Sequence, residues 1–235
     1  MNRRMELSPR LRMVANLVPE GVPLADIGTD HAYLPAALIQ EDRIPSAVAA
    51  DLRQGPLSRA RATVQSCGLT GRIAFRLCDG LSGICPQEAD TVVIAGMGGE
   101  TIATILEAAP WTKEAGKTLI LQPMSSMSDL RLWLIEHGYW IREERLAQEG
   151  DAIYTALLVT GGQMEPMTPA ELWVGRNSRD PLRGIWLDRW LEKTRRALDG
   201  LRKAKQDGAA LRRAELEAVL QGLSEMKQEW DAWQQ

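Results

Sequence analysis

Four stretches of this 235-residue sequence carry side chains able to hold a charged ligand, and each stands at the end of a short apolar run. The first is Ala25-Asp26-Ile27-Gly28-Thr29-Asp30-His31-Ala32-Tyr33-Leu34-Pro35. Gly28 permits a tight turn beside a ligand. A dinucleotide fingerprint would need glycine again at positions 30 and 33, and Asp30 and Tyr33 stand there instead. A carboxylate repels a pyrophosphate, which argues against NAD or FAD, but it tolerates a cationic sulfonium. The second run ends at Asp51, 25 residues after Asp26, about where an acidic side chain accepts hydrogen bonds from ribose hydroxyls. Asp79-Gly80 closes the third run and Gly96-Met97-Gly98-Gly99 the fourth, where absent side chains would let a ligand approach backbone amides. Taken singly, Gly28 reads equally well as a plain strand-to-helix turn, and Asp51 or Asp79 more often as turn residues or caps. Their recurrence at successive run ends favours a ligand site.

Strands and helices in alternation are needed to bring these ends together. Apolar runs at 24–27, 47–50, 73–77, 91–95 and 118–121, bounded by Gly, Asp or Pro, read as strands. Helical patterns lie between them, near 34–41, 56–67, 100–108 and 127–137, the last ending at His137-Gly138 as a helix C-terminus does. A further helix opens at Ser8-Pro9, a cap followed by proline in the first turn, and stops at Pro19-Glu20-Gly21. Buried strands alternating with helices imply a parallel, doubly wound sheet, with ligands at the carboxyl ends of its strands. The runs at 139–146 and 152–159, joined by residues 147–151, read as an antiparallel hairpin. A parallel sheet closed by a hairpin is the Rossmann-like α/β architecture of class I methyltransferases, whereas a nicotinamide dehydrogenase would continue with parallel strands. Tyr33 reads as core packing, with a platform for a stacked base as the alternative, and Cys78 as a buried structural thiol.

Several strings resemble the bacterial tRNA (adenine-22-N1)-methyltransferase family over about the first 160 residues. They are Leu7-Ser8-Pro9-Arg10-Leu11, the stretch around Asp30-His31, Gly55-Pro56, Asp79-Gly80-Leu81, Ile94-Ala95-Gly96-Met97-Gly98-Gly99 and Leu121-Gln122-Pro123. The resemblance implies a catalytic domain over 1–162 that binds S-adenosylmethionine, and a helical coiled-coil domain over 163–235 that aids tRNA binding. Its implied reaction is methylation of N1 of an adenine in the tRNA D-arm. It implies further that Gly28, Asp30 and His31 line the methionine end of the cofactor, Asp51 its ribose, Asp79 and Gly80 its adenine, and Gly96, Met97, Gly98 and Gly99 the floor near the transferred methyl. Arg10 would meet the cofactor carboxylate or a phosphate, and Asp26 and Leu52 complete the cofactor set. One departure stands out: many members of that family carry Asn after the Gln-Pro pair, and this chain carries Met124. A polar role in holding the base is therefore not expected there.

The implied chemistry assigns catalytic work to Asp30 and His31. Adenine N1 has an in-plane lone pair, so methyl transfer needs in-line positioning more than a strong base. The ring gains positive charge as the bond forms. A carboxylate at about 4 Å, in an effective dielectric near 20, is worth roughly 4 kcal/mol, nearly a thousandfold in rate. Asp30 is the candidate, its alternative being a cap on the following helix or a brace for the Gly28 turn. His31 either orients the base or packs beneath the cofactor. Because N1 lies on the Watson–Crick edge, the target must be exposed or flipped.

The formal charge of -3 suggests no nucleic-acid partner until it is partitioned. Residues 176–213 hold 12 Lys or Arg against 5 Asp or Glu, a balance of +7, whereas residues 1–165 sum to -5 and residues 214–235 to -4. The basic segment falls on the first of two helical arms, near 181–206 and 210–232, that follow a turn-rich junction and a short helix at 169–174. Leu187, Trp190, Thr194, Ala197, Leu201 and Ala204 on one arm, and Leu216, Val219, Leu223, Met226, Trp230 and Trp233 on the other, have coiled-coil spacing. A turn at Asp207-Gly208 would pair the arms antiparallel, with Trp186 and Trp230 at matching distances from it. Such a seam is satisfied within one chain, so a monomer is expected. The basic face offers contacts to phosphates, against the plainer reading of solvated helix ion pairs. Three cysteines without C-x-x-C spacing fit neither a disulfide framework nor zinc, so no metal and a reducing, cytoplasmic setting are expected. Neither a signal peptide nor a membrane span is legible. The competing readings are a methyltransferase of another acceptor and a non-catalytic tRNA-binding protein with a vestigial pocket.

Overall fold

The computed structural model describes residues 4–203 and 209–234. In chain order its elements are α1 (Pro9–Leu17), β1 (Leu24–Ile27), α2 (Tyr33–Gln40), β2 (Ala47–Asp51), α3 (Gln54–Ser66), β3 (Ile73–Leu77), β4 (Thr91–Gly98), α4 (Gly99–Glu107), β5 (Thr118–Ser125), α5 (Met127–Glu136), β6 (Tyr139–Glu149), β7 (Ala152–Gly161), α6 (Pro169–Val174), α7 (Arg183–Lys203) and α8 (Ala209–Trp233). The chain divides into two compact units, Met1–Ser126 with Trp133–Met164, and Met127–Leu132 with Glu165–Gln235.

The first unit is built on a 7-stranded sheet of order β3-β2-β1-β4-β5-β7-β6. Strands β1 to β5 pair parallel, with Leu24 opposite both Ala47 and Thr91, and β7 pairs antiparallel with β5 and β6. All four residues of β1 are buried, as expected of a strand covered on both faces. Val14, Leu24, Leu38, Ala49, Val93 and Ile120 belong to one core cluster, which joins α1 and α2 to the sheet. Removing their apolar surface from water supplies the driving force for this packing.

Two stretches differ from the local reading in an informative way. The glycine string after the fourth run is not a free loop: β4 continues through Gly98, and its pairing with β5 skips Gly96 between Ala95 opposite Gln122 and Met97 opposite Pro123. Gly96 has φ 82°, the left-handed conformation that lets one extra residue bulge out of a strand. The hairpin loop is also shorter than residues 147–151. Ala147, Gln148 and Glu149 remain paired with Tyr154, Ile153 and Ala152, leaving only Gly150 and Asp151 in the turn. Gly150, at φ 60° in the first central position, has the conformation a type II′ turn requires there.

In the second unit α7 and α8 run antiparallel: Gly184 lies against Trp230, and Asp188 pairs with Lys227 at 3.7 Å. The α8 seam is buried at Leu216, Val219 and Leu223, while Trp233 is exposed. On α7 the buried positions are Leu187, Leu191, Thr194 and Leu198, whereas Ala197 is exposed and Trp190 half-buried. Both sets of positions have three-four spacing, and the buried stripe runs through Leu191 and Leu198, one residue beyond Trp190 and Ala197, with Trp190 packed at its flank. Trp173, Trp186, Trp190 and Trp230 pack around the resulting cluster. The expected turn at Asp207-Gly208, and Ala204 of the first arm, lie outside the described residues.

Candidate active site

Strands β1, β2 and β3 proceed outward in one direction, and the chain then returns to place β4 on the other side of β1. The crevice outside the carboxyl ends of β1 and β4 is thus the topological switch point, where open α/β sheets bind ligands. A cavity of about 520 Å³ opens there, walled by Arg10, Asp26, Gly28, Asp30, His31 and Gly96 together with Glu6, Ser8, Thr29 and Tyr33.

Local geometry sets each of these groups. Gly28, at φ 75°, turns the chain sharply, and the amides of Gly28 and Thr29 both donate to the Ala50 carbonyl at 2.8 and 3.0 Å. The Thr29 hydroxyl oxygen then accepts from the amide of Ala32, the N-cap of α2, at 3.2 Å. Bracing the start of α2, offered as the plain role for Asp30, therefore falls to Thr29. Asp30 projects outward with its side chain 61% exposed, accepting from Arg59 of α3 and lying 3.3 Å from Nε2 of His31. The Arg59 hydrogen bond holds the Asp30 carboxyl below the usual carboxylate range. His31 stacks on Tyr33 with ring centroids 4.9 Å apart. Tyr33 packs against the core cluster, as read, and its half-buried side chain also forms part of the cavity wall.

Asp26 and Arg10 bring opposite charges to this cavity. Asp26 is buried, and burial pushes its carboxyl up to about 6, opposed by a hydrogen bond from Thr29 and helped by the negative charge of Asp51. The Arg10 guanidinium donates through Nη1 to Oε1 of Gln122 at 2.7 Å and lies 5.7 Å from the Tyr154 ring centroid. Gln122 is fully buried within β5, its Nε2 donating to the Pro123 carbonyl at 2.9 Å. The string containing Gln122 was visible in the sequence, but its grip on Arg10 was not. Met124, next in the chain, is 51% exposed.

The remaining expected residues do not line this cavity. Asp51 closes β2, where its Oδ1 accepts from the Arg53 amide at 2.7 Å in an Asx turn, and Leu52 beside it is 64% exposed. Asp79 is exposed after β3, and its carbonyl accepts from the Ser82 amide. Gly80 has φ 52°, and a Cβ there would come within 3.0 Å of Ile105. The Met97 methyl rests against Gly28, where a Cβ would meet it at 2.1 Å. A Cβ on Gly98 would lie 3.1 Å from the Ser125 hydroxyl, and Gly99, buried, begins α4. Cys78, expected to be buried, is half-buried, with its thiol directed at the Gly80 carbonyl at 3.6 Å.

Comparison with known proteins agrees with this geometry. The profile of a family described as a methyltransferase domain matches residues 7–157. The tRNA (adenine(22)-N(1))-methyltransferase of Bacillus subtilis is 34% identical over 194 residues, 80% of this chain and 82% of that protein. The crystal structure of the B. subtilis m1A22 tRNA methyltransferase TrmK superposes with a TM-score of 0.82 at 31% identity, covering 95% of this chain and 100% of the other. The structure of M. capricolum TrmK with the natural cofactor product S-adenosyl-homocysteine matches at 0.75 and 28%, covering 96% and 98%. Fold, motif strings and near-complete coverage converge, and the chain belongs to the tRNA (adenine(22)-N1)-methyltransferase family.

Proposed function

We propose that this protein methylates N1 of adenine 22 in tRNA with S-adenosylmethionine, held at the cavity between the ends of β1 and β4. The observation that carries the reading is the opposition of the Arg10 cation and the buried Asp26 carboxylate across glycine-turned strand ends. A buried carboxylate with a raised proton affinity lacks a cation, and the amino acid end of the cofactor supplies one together with a carboxylate for Arg10. The residues present therefore fit the group. Asp51 and Leu52, then Asp79 and Gly80, stand on the neighbouring strand ends and would hold ribose and adenine. Gly96, Met97, Gly98 and Gly99 would form the floor near the methyl group, with the Gly96 bulge keeping that surface free of a side chain. When bound, S-adenosylmethionine supplies an electrophilic methyl group.

Asp30 faces the charge that develops on the adenine. Its carboxyl is held below the usual range, so it is ionised at neutral pH and too weak a base to extract a proton readily. Its part is electrostatic, and sharing its charge with Arg59 in an exposed position leaves less than the roughly 4 kcal/mol of an unshared carboxylate. His31 and Tyr33 present a stacked pair at the cavity mouth that orients the flipped base. In the helical unit, Lys193, Arg195 and Arg196 of α7 contact tRNA phosphates. Arg183 does not share this role, because its guanidinium is buried and donates to the Val174 and Gly175 carbonyls. The α7–α8 seam is satisfied within one chain, which supports a monomer.

Mapping of N1-methyladenine in tRNA treated with the protein and cofactor tests the function. Methyl transfer to position 22 is expected. Modification elsewhere, or of another acceptor, would replace the stated substrate, and cofactor binding without transfer would support the non-catalytic rival.

A further inference from the structure

Arg10 reaches the cavity from the second residue of α1, so its position depends on how that helix begins. The first turn of a helix leaves backbone N–H groups without intrahelical partners. Here Pro9 has none to offer, the Leu11 amide donates to the Ser8 hydroxyl oxygen at 3.5 Å, and the Arg12 amide to the Ser8 carbonyl at 2.8 Å. The Arg10 amide is met from far along the chain: it donates to Oε2 of Glu149 at 3.1 Å, across 139 residues. The first turn of α1 has no acidic residue of its own, so Glu149 also supplies the negative charge that a helix N-terminus favours. The Ser8 hydroxyl bonds the same carboxylate, and these two hydrogen bonds, Ser8 first, hold the Glu149 carboxyl below the usual carboxylate range.

Glu149 is the last residue of β6, immediately before the two-residue turn, and Tyr154 lies just beyond that turn on β7. The tip of the β6–β7 hairpin thus grips both ends of one residue. Glu149 fixes the Arg10 amide, and the Tyr154 ring lies under its guanidinium, while Gln122 of β5 takes Nη1. We infer that Glu149 is a positioning residue for cofactor binding, acting through Arg10 by clamping the start of α1 to the hairpin tip. The inference deepens the methyltransferase reading of the cavity and rests on it.

The test is calorimetric titration of the full chain with S-adenosylhomocysteine, combined with thermal unfolding. Glu149→Ala is expected to weaken binding about tenfold, the equivalent of one charge-assisted hydrogen bond. Glu149→Asp retains the charge but shortens the reach by one carbon–carbon bond, about 1.5 Å, and is expected to weaken binding similarly if the alanine variant does not fold. Glu149→Gln retains an acceptor oxygen and restores most of the affinity. In an Arg10→Ala background, Glu149→Ala has no further effect on affinity, because both substitutions remove the same contribution. Losses that add in the double variant, or a lower melting temperature with unchanged affinity, overturn the clamp. A wild-type protein that takes up no cofactor overturns the methyltransferase reading itself, a result distinct from either.

Discussion

Asp30 and Asp26 are separated by four positions in the chain but have opposite electrostatic settings. Asp30 is exposed and paired with Arg59, so its charge is available at every neutral pH. Asp30→Asn retains an acceptor for Arg59, and cofactor affinity is expected to stay near wild type while kcat falls about ten- to a hundredfold, a loss of roughly 1.4 to 3 kcal/mol. Equal losses in cofactor affinity and turnover would reduce Asp30 to a binding role. Asp26 has its carboxyl pushed up from 3.8 to about 6, chiefly by burial. Between those values the folded chain keeps a proton that the unfolded chain has lost. The stability this contributes is complete below about pH 3.8 and is lost as pH rises through about 6, a change of about 3 kcal/mol. Denaturant unfolding from pH 4 to pH 8 should show this decline, and Asp26→Asn should remove it. A cationic ligand favours the ionised form, so cofactor affinity should rise between about pH 5 and 7 in the wild type and flatten in the variant.

Among the elements, α7 carries two glycines with opposite expectations. A Cβ at Gly200 meets nothing within 4 Å, so Gly200→Ala should stabilise the helix by close to the full propensity difference of about 1 kcal/mol. At Gly184 a Cβ would lie 2.7 Å from the Trp230 ring. The same propensity gain is there opposed by overpacking of about 1 to 3 kcal/mol, and Gly184→Ala should be neutral to destabilising. Thermal unfolding of the two variants side by side distinguishes packing from propensity. An equal rise in melting temperature for both would mean that Trp230 yields freely. The heptad pattern of α7 was legible, but its phase was not, because Leu191 and Leu198 satisfy the same spacing as Trp190 and Ala197. Only the partner helix α8 selects between them.

For the molecule as a whole, an overall charge of -3 conceals a segment of +7 at residues 176–213. Several of its cations are already engaged, Arg183 by carbonyls, Arg212 by Glu215 and Arg213 by Glu217, whereas Arg196, though paired with Glu192, is 77% exposed and open to a phosphate. Lys193 lies 4.2 Å from the centroid of Trp190. Replacing Lys193, Arg195 and Arg196 together by Gln should weaken tRNA binding and lower the slope of log affinity against log salt by about 2 to 3, while cofactor affinity stays unchanged. An unaltered slope would return these side chains to the role of solvated ion pairs. Among the described residues no helix is long and apolar enough to cross a membrane.

What local sequence carries is the kind and order of the elements. Apolar runs, Ser8-Pro9, Gly150 and the strings around Asp30 and Gly96 encode strands, caps, turns and family through neighbours a few residues apart. Which charges meet is settled by folding. Arg59 reaches Asp30 across 29 residues, Gln122 holds Arg10 across 112 and Glu149 across 139, and no periodicity records such pairings. Thr29 rather than Asp30 braces α2 for a related reason. Both are short polar residues suited to the turn, and the backbone set by Gly28 and Ala32 aims only the threonine hydroxyl inward. The burial that raises Asp26 likewise exists only once β2 and β4 have enclosed β1, since desolvation belongs to the packed sheet and not to the side chain.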